Sequence, residues 1–185
     1  MRQLRLAGIS GSLRKNSNNT AILRTLQERL PEAIELSLVP LDAVPLYSGD
    51  LEGAELPAGV AEFRAAVEAA DGLVVCSPEY NAGTSGVLKN ALDWASRPAN
   101  SSSLKGKHVL IMSSSPGFMG GVRAQAQLRE TFASTLSRVV VRPPVVIAGV
   151  HEKIKDGRLV DESNIQFALD AIAALASEIR VDRAC

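Results

Sequence analysis

Residues 4–20 read Leu4-Arg5-Leu6-Ala7-Gly8-Ile9-Ser10-Gly11-Ser12-Leu13-Arg14-Lys15-Asn16-Ser17-Asn18-Asn19-Thr20. A short, mostly apolar run, Leu4 to Ile9, stops at Ser10-Gly11-Ser12 and reads as a first strand. A Ser/Asn-rich loop follows and leads into residues 19–30, where Ile22, Leu23, Leu26 and Leu30 fall at helical spacing. Pro31 marks the helix exit. A strand, a polar loop and a helix in direct succession are the opening of a βαβ unit.

The alternation continues along the chain. Ile34 to Val39 alternates apolar and polar as a half-buried strand does, and a Pro/Gly-rich loop follows. Val60, Phe63, Val67 and Ala70 make a second helical stripe, and Leu73 to Cys76 a buried strand. Residues 85–96 put Leu88, Leu92 and Ala95 on one helix face, and Val109 to Met112 is the next strand. Ala124, Leu128, Phe132 and Leu136 recur every four residues. Val139–Val141 and Val145–Ile147 read as one strand interrupted by Pro143-Pro144. Ile165, Leu169, Ile172, Leu175, Ala176 and Ile179 mark an amphipathic C-terminal helix. Residues 97–106 and 150–161 read as surface loops, with a turn at Lys155–Gly157. Alternating strands and helices predict an α/β three-layer sandwich with a five-stranded parallel sheet. Right-handed crossovers favour the order 2-1-3-4-5. Residues 1–185 form one expected domain, with no internal repeat and no linker.

Composition excludes several classes. Hydrophobic residues are 46% and charged residues 22%, so the chain can bury a core. Lys+Arg and Asp+Glu are both 20, and the zero net charge argues against nucleic-acid binding and against a polybasic membrane surface. No apolar run is long enough to span a bilayer, and the N-terminus lacks a signal-peptide h-region. Cys76 and Cys185 are the only cysteines, which excludes a disulfide framework and a zinc site. A cytoplasmic protein is expected.

In a sheet of this order, ligands bind outside the carboxyl ends of the strands. Three loops reach that edge. The first, Ser10 to Thr20, ends at a helix N-terminus, whose free N–H groups and partial positive charge attract anions. Ser12, Ser17, Asn19 and Thr20 are donors, and Arg14 adds charge. Singly, Ser17 or Asn18 reads as a helix cap; the cluster reads as a phosphate loop. The spacing of Gly8 and Gly11 does not match G-x-G-x-x-G, and no G-x-x-x-x-G-K-[ST] motif is present. Neutral donors suit a terminal phosphate dianion such as that of FMN.

The second loop, Cys76-Ser77-Pro78-Glu79-Tyr80-Asn81-Ala82-Gly83-Thr84-Ser85-Gly86, runs into a helix. Pro78 stiffens it, and Gly83 and Gly86 permit close approach of a flat ring. Taken alone, it reads equally as a strand-to-helix connection with Ser85 as cap and Tyr80 as a surface aromatic. The third loop, Ser113 to Gly121, offers hydroxyls and backbone N–H groups. Phe118 reads either as a substrate neighbour or as a core plug, and Trp94 as core or interface. His108 and His151 have no partner at metal-site spacing. There is no G-x-S-x-G elbow.

Three segments together resemble a known family. Ser12-Leu13-Arg14-Lys15-Asn16-Ser17-Asn18-Asn19 is similar to the G-S-x-R-x-x-S-x-N loop of the NADPH-dependent FMN reductases. Pro78-Glu79-Tyr80-Asn81 is similar to their P-E-Y-N segment, and Gly86 to Trp94 to their G-x-L-K-N-A-I-D-W helix. Within that family the chain resembles bacterial quinone and chromate reductases, which implies quinones as acceptors, with chromate, azo or nitro compounds as further ones. The resemblance implies a flavodoxin-like fold, bound FMN, NADPH or NADH as co-substrate, and a homodimer or homotetramer. By motif, Ser12, Arg14, Ser17 and Asn19 hold the FMN phosphate, Pro78, Glu79, Tyr80 and Asn81 line the isoalloxazine, and Ser115 is a further contact. The full candidate cofactor set adds Ser10, Leu13, Lys15, Asn16, Asn18, Thr20, Ala82 and Gly83. Ala82 departs from the family, where a bulky or aromatic residue is frequent.

The implied activity is a two-electron, ping-pong transfer of hydride from NAD(P)H through FMN to quinones or similar acceptors. No side chain is assigned as catalytic acid or base, and no metal is expected. The alternative is a flavodoxin-like single-electron carrier. Such carriers tend to be acidic, and zero net charge counts against that.

Overall fold

A computed structural model describes residues 2–53 and 56–184. Strand β1 (Leu4–Ser10) pairs in parallel with β2 (Ile34–Val39) on one side and β3 (Gly72–Ser77) on the other. Strand β4 (His108–Ser115) follows β3, and the path is β2-β1-β3-β4-β5, the flavodoxin-like order. The fifth position is split. β5 (Arg138–Val139) and β6 (Val145–Ala148) each pair with β4, at its start and its end. Pro143-Pro144 lies between them, and proline has no N–H to give to the ladder. One strand position is therefore filled by two short pieces.

Helices cover both faces. Alternation along β1 sends Leu4 and Leu6 to one side, against Ile22, Leu23 and Leu26 of α1 (Asn18–Arg29). Ile172, Leu175 and Ile179 of the C-terminal helix α6 (Glu162–Ala184) share that core. Ala7 and Ile9 face the other side. Phe63 and Val67 of α2 (Ala58–Ala69), Leu88 and Leu92 of α3 (Gly86–Ala95) and Leu128 and Phe132 of α4 (Val122–Ser134) pack there. Every residue of β3 is buried, as a central parallel strand requires.

Two segments read as surface loops carry structure. Residues 150–161 contain a short helix, α5 (Val150–Lys153), and a hairpin of β7 (Ile154–Lys155) and β8 (Arg158–Leu159). The turn falls at Asp156-Gly157, both at positive φ, the pattern of a two-residue hairpin turn. Val150 and Leu159 are buried, and Leu159 N–H donates to Thr25 Oγ1 of α1 at 2.9 Å. These pieces are too short to show a period in sequence. Likewise, residues 97–106 place Leu104 in the core beneath α4. Trp94 is fully buried, its indole N–H bonded to Pro45 O at 2.9 Å. No helix among the described residues is long and apolar enough to cross a membrane.

Candidate functional site

The loops after β1, β3 and β4 meet at the carboxyl edge of the sheet and are stitched together. Gly11 N–H donates to Cys76 O at 2.9 Å, extending the β1–β3 ladder into the loop. Ser85 caps α3, accepting from Leu88 N–H at 3.3 Å, and its hydroxyl donates to Gly11 O at 2.6 Å. A Cβ on Gly11 would lie 2.9 Å from Pro78 Cδ and 3.1 Å from Ser85 Oγ, so only glycine lets the loops approach this closely.

Ser17 caps α1, its Oγ accepting from Thr20 N–H at 3.3 Å. The first turn of α1 holds no acidic residue, so its positive end is left for an anion. Asn19 sits just inside this end and is buried. Its Oδ1 accepts from Cys76 Sγ at 3.1 Å and from Ser114 Oγ at 2.9 Å. Burial pushes the Cys76 thiol far above the ordinary cysteine range, so it is a neutral S–H donor. Two donors fix the amide oxygen inward. The amide NH2 has no acceptor among the described residues, and Asn19 borders the loop site.

Across the site, Glu79 performs a capping task that its own loop does not reveal. Its Oε2 accepts from the N–H groups of Arg123 at 2.9 Å and Ala124 at 3.3 Å. Helix α4 starts at Gly121, which brings no side-chain cap, so a carboxylate from the neighbouring loop supplies one. Tyr80 and Gly83 exchange backbone hydrogen bonds of 2.9 and 3.0 Å around Asn81-Ala82. Both central residues lie at positive φ, 50° and 65°, which defines a primed turn. In the third loop, Ser115 Oγ accepts from Gly117 N–H at 3.1 Å.

These elements enclose a hollow of ≈ 130 Å³. Ser12, Arg14, Ser17, Asn18 and Asn19 border it from the first loop, Pro78, Glu79 and Tyr80 from the second, and Ser115 from the third. Ser114, Pro116 and Val150 complete it and were not among the sequence candidates. Strand alternation was the available signal for Ser114, which follows Leu110 and Met112 on the α1 face of β4. Leu13 is exposed and does not border this hollow; it lines the two neighbouring clefts. Ser10, Lys15 and Thr20 lie on the far side of the loop, where they line a second cleft, and Asn16 borders a third hollow beside α1. Thr20 Oγ1 donates to Ser10 Oγ at 2.8 Å, which ties the helix to the strand behind the loop. Asn81, Ala82 and Gly83 form the tip of the primed turn, with Asn81 and Ala82 exposed.

The donors present fit a flavin mononucleotide. A phosphate dianion there would meet hydroxyls, the Asn19 amide, one guanidinium and a helix N-terminus with no acidic residue in its first turn. Pro78, Tyr80 and Ser115 border the same hollow and would flank the rest of such a ligand.

Comparison with known proteins agrees. Residues 4–153 match the family described as NADPH-dependent FMN reductase. The chain is 35% identical over 178 residues to an NAD(P)H-dependent FMN reductase of Pseudomonas aeruginosa, covering 96% of each. It is 36% identical over 183 residues to a quinone reductase of Escherichia coli K12, again covering 96% of each. Among solved structures, a flavoenzyme NAD(P)H:(acceptor) oxidoreductase from Paracoccus denitrificans superposes with a TM-score of 0.83 at 30% identity. That superposition covers 96% of this chain and 97% of the other. With its motifs, strand order and loop site all in place, the chain belongs to the NADPH-dependent FMN reductase family.

Proposed function

We propose that this chain is an FMN-containing NAD(P)H:quinone reductase. One observation carries the reading: a single hollow is bordered at once by the phosphate-type loop, the Pro78–Tyr80 segment and Ser115. FMN supplies the two-electron chemistry when bound. The chain's part is to hold the phosphate with Ser12, Arg14, Ser17 and Asn19 and to present a fixed wall through Pro78, Tyr80 and Ser115. No catalytic acid or base is assigned. The Glu79 carboxylate is engaged as a helix cap and the Cys76 thiol is buried and neutral. NAD(P)H and the acceptor take turns at the same opening, which gives ping-pong kinetics.

The loops that carry the site also expose apolar groups. Phe118 is 93% exposed, and Leu13, Tyr80 and Met119 about half. This supports a homodimer or homotetramer with the mouth near a subunit contact. A cytoplasmic setting and one domain over residues 1–185 complete the proposal. The test is steady NADPH or NADH oxidation by FMN-loaded protein with a quinone and no partner protein. Turnover supports the reductase; its absence would leave a single-electron carrier.

A further inference from the structure

Behind the phosphate loop lies a cleft of ≈ 560 Å³, within the range of small-molecule sites. Gly8 and Ser10 of β1 border it, with Thr20 and Arg24 of α1 on one side and Leu38 to Asp42, the end of β2 and beyond, on the other. Arg14 and Lys15 close it at the loop. Thr20 and Arg24 are four residues apart and so share a helix face.

The cleft is cationic. Arg14, Lys15 and Arg24 face one carboxylate, Asp42. Among the described residues none of these three cations makes an ion pair, whereas Arg29 at the end of the same helix pairs with Glu162, and Arg158 pairs with Glu28. The opposite wall is apolar, with Leu38, Val39, Pro40 and Leu41 in sequence. A phosphorylated ligand with a flat, weakly polar body matches both walls.

The cleft also shares lining residues with the flavin site. Ser12, Leu13 and Arg14 border both it and a neighbouring cleft of ≈ 530 Å³, whose far side is Tyr80, Gly86 and Val87. Ser12, Arg14 and Tyr80 border the hollow itself. A long ligand with its reacting end near Tyr80 can therefore pass over Leu13 and Arg14 into the basic cleft. NADPH differs from NADH by a phosphate on the ribose farthest from the reacting ring. A carboxylate suits the bare ribose diol and an arginine suits the 2′-phosphate. Here cations outnumber the carboxylate.

We propose that this cleft receives the 2′-phosphoadenosine end of NADPH, with Arg24 and Lys15 on the 2′-phosphate, and so sets a preference for NADPH. The proposal rests on the reductase reading. Its test compares kcat/KM for NADPH and NADH on FMN-loaded wild type, Arg24→Ala and Arg24→Lys. Wild type prefers NADPH, and Arg24→Ala lowers the NADPH:NADH ratio by about fivefold, chiefly through the NADPH KM. Arg24→Lys keeps most of the ratio. No preference in wild type, or a ratio unmoved by Arg24→Ala, overturns the assignment. Calorimetric titration of the holoprotein with 2′-AMP, 5′-AMP and inorganic phosphate reads the cleft without turnover. Tightest binding of 2′-AMP, weakened by Arg24→Ala, supports it; equal and Arg24-independent binding of all three overturns it. If neither nucleotide reduces the flavin, the reductase reading fails while this titration still decides the cleft.

Discussion

The amide oxygen of Asn19 accepts a hydrogen bond from the thiol of Cys76 across 3.1 Å. The pair joins the first turn of α1 to the end of β3, and Ser114 Oγ joins β4 to the same oxygen at 2.9 Å. Three elements that carry the three site loops are thus pinned at one buried atom. Because both partners donate, the amide oxygen is taken up by them and the amide nitrogen has no acceptor among the described residues. Asn19 therefore has a structural task beside the phosphate contact proposed for it, and substitution separates the two.

Asn19→Asp keeps an acceptor for Cys76 and Ser114 but removes the amide donor and adds negative charge beside the phosphate position. FMN affinity should fall at least about tenfold with a small change in Tm. Asn19→Leu removes the acceptor as well, leaving Ser114 unpaired, and should cost about 2–3 kcal/mol of stability. FMN titration followed by flavin fluorescence, with thermal melts of the apoprotein, checks both.

The buried thiol gives a pH dependence with a definite sign. Its folded pKa lies above its unfolded value, so above pH ~9 the unfolded chain releases a proton that the folded chain retains. The stability associated with Cys76 is full below that pH and falls as pH rises. Melts from pH 8 to about 10.5 should show a steeper loss in wild type than in Cys76→Ala. Equal slopes would remove Cys76 as the cause.

Glu79 is a helix cap delivered from outside its helix. Glu79→Ala should lower stability by about 1 kcal/mol and loosen the start of α4. Glu79→Gln retains an acceptor and should recover about half of that loss. Hydrogen exchange at Arg123 and Ala124, faster in Glu79→Ala, locates the effect.

A methyl group is unfavourable at two backbone positions, one that lacks it and one that carries it. Gly11→Ala forces a Cβ to 2.9 Å from Pro78 and should cost about 1–3 kcal/mol while weakening FMN retention. Ala82 holds φ at 65°, where glycine is at ease, so Ala82→Gly should raise stability by up to about 1 kcal/mol. Denaturant midpoints of the two variants should lie on opposite sides of wild type.

Periodicity in the sequence carried the sheet order and the long helices, because each buries a stripe too regular to mistake. It did not carry the split fifth position or the β7–β8 hairpin, whose pieces are two to four residues long. At the site, the structure brings the motif residues Ser12, Ser17, Asn19 and Pro78–Tyr80 to one hollow. The motifs did not separate Ser10, Lys15 and Thr20, which lie on the other side of the same loop, since a linear motif does not record which way a loop turns. Arg24 carries no signal in the sequence, because an exposed arginine on a helix is ordinary until the end of β2 stands opposite it.

The central claim is that the hollow at the carboxyl edge of the sheet binds FMN and works with NAD(P)H. The most direct measurement is the visible spectrum of purified protein, with FMN supplied if needed, followed by anaerobic NADPH addition and then a quinone. Tightly bound flavin that bleaches in one two-electron phase and regains its colour with the quinone is the expected result. A protein that stays colourless and does not bind added FMN would contradict the site, and a bound flavin that neither NADPH nor NADH reduces would contradict the reductase.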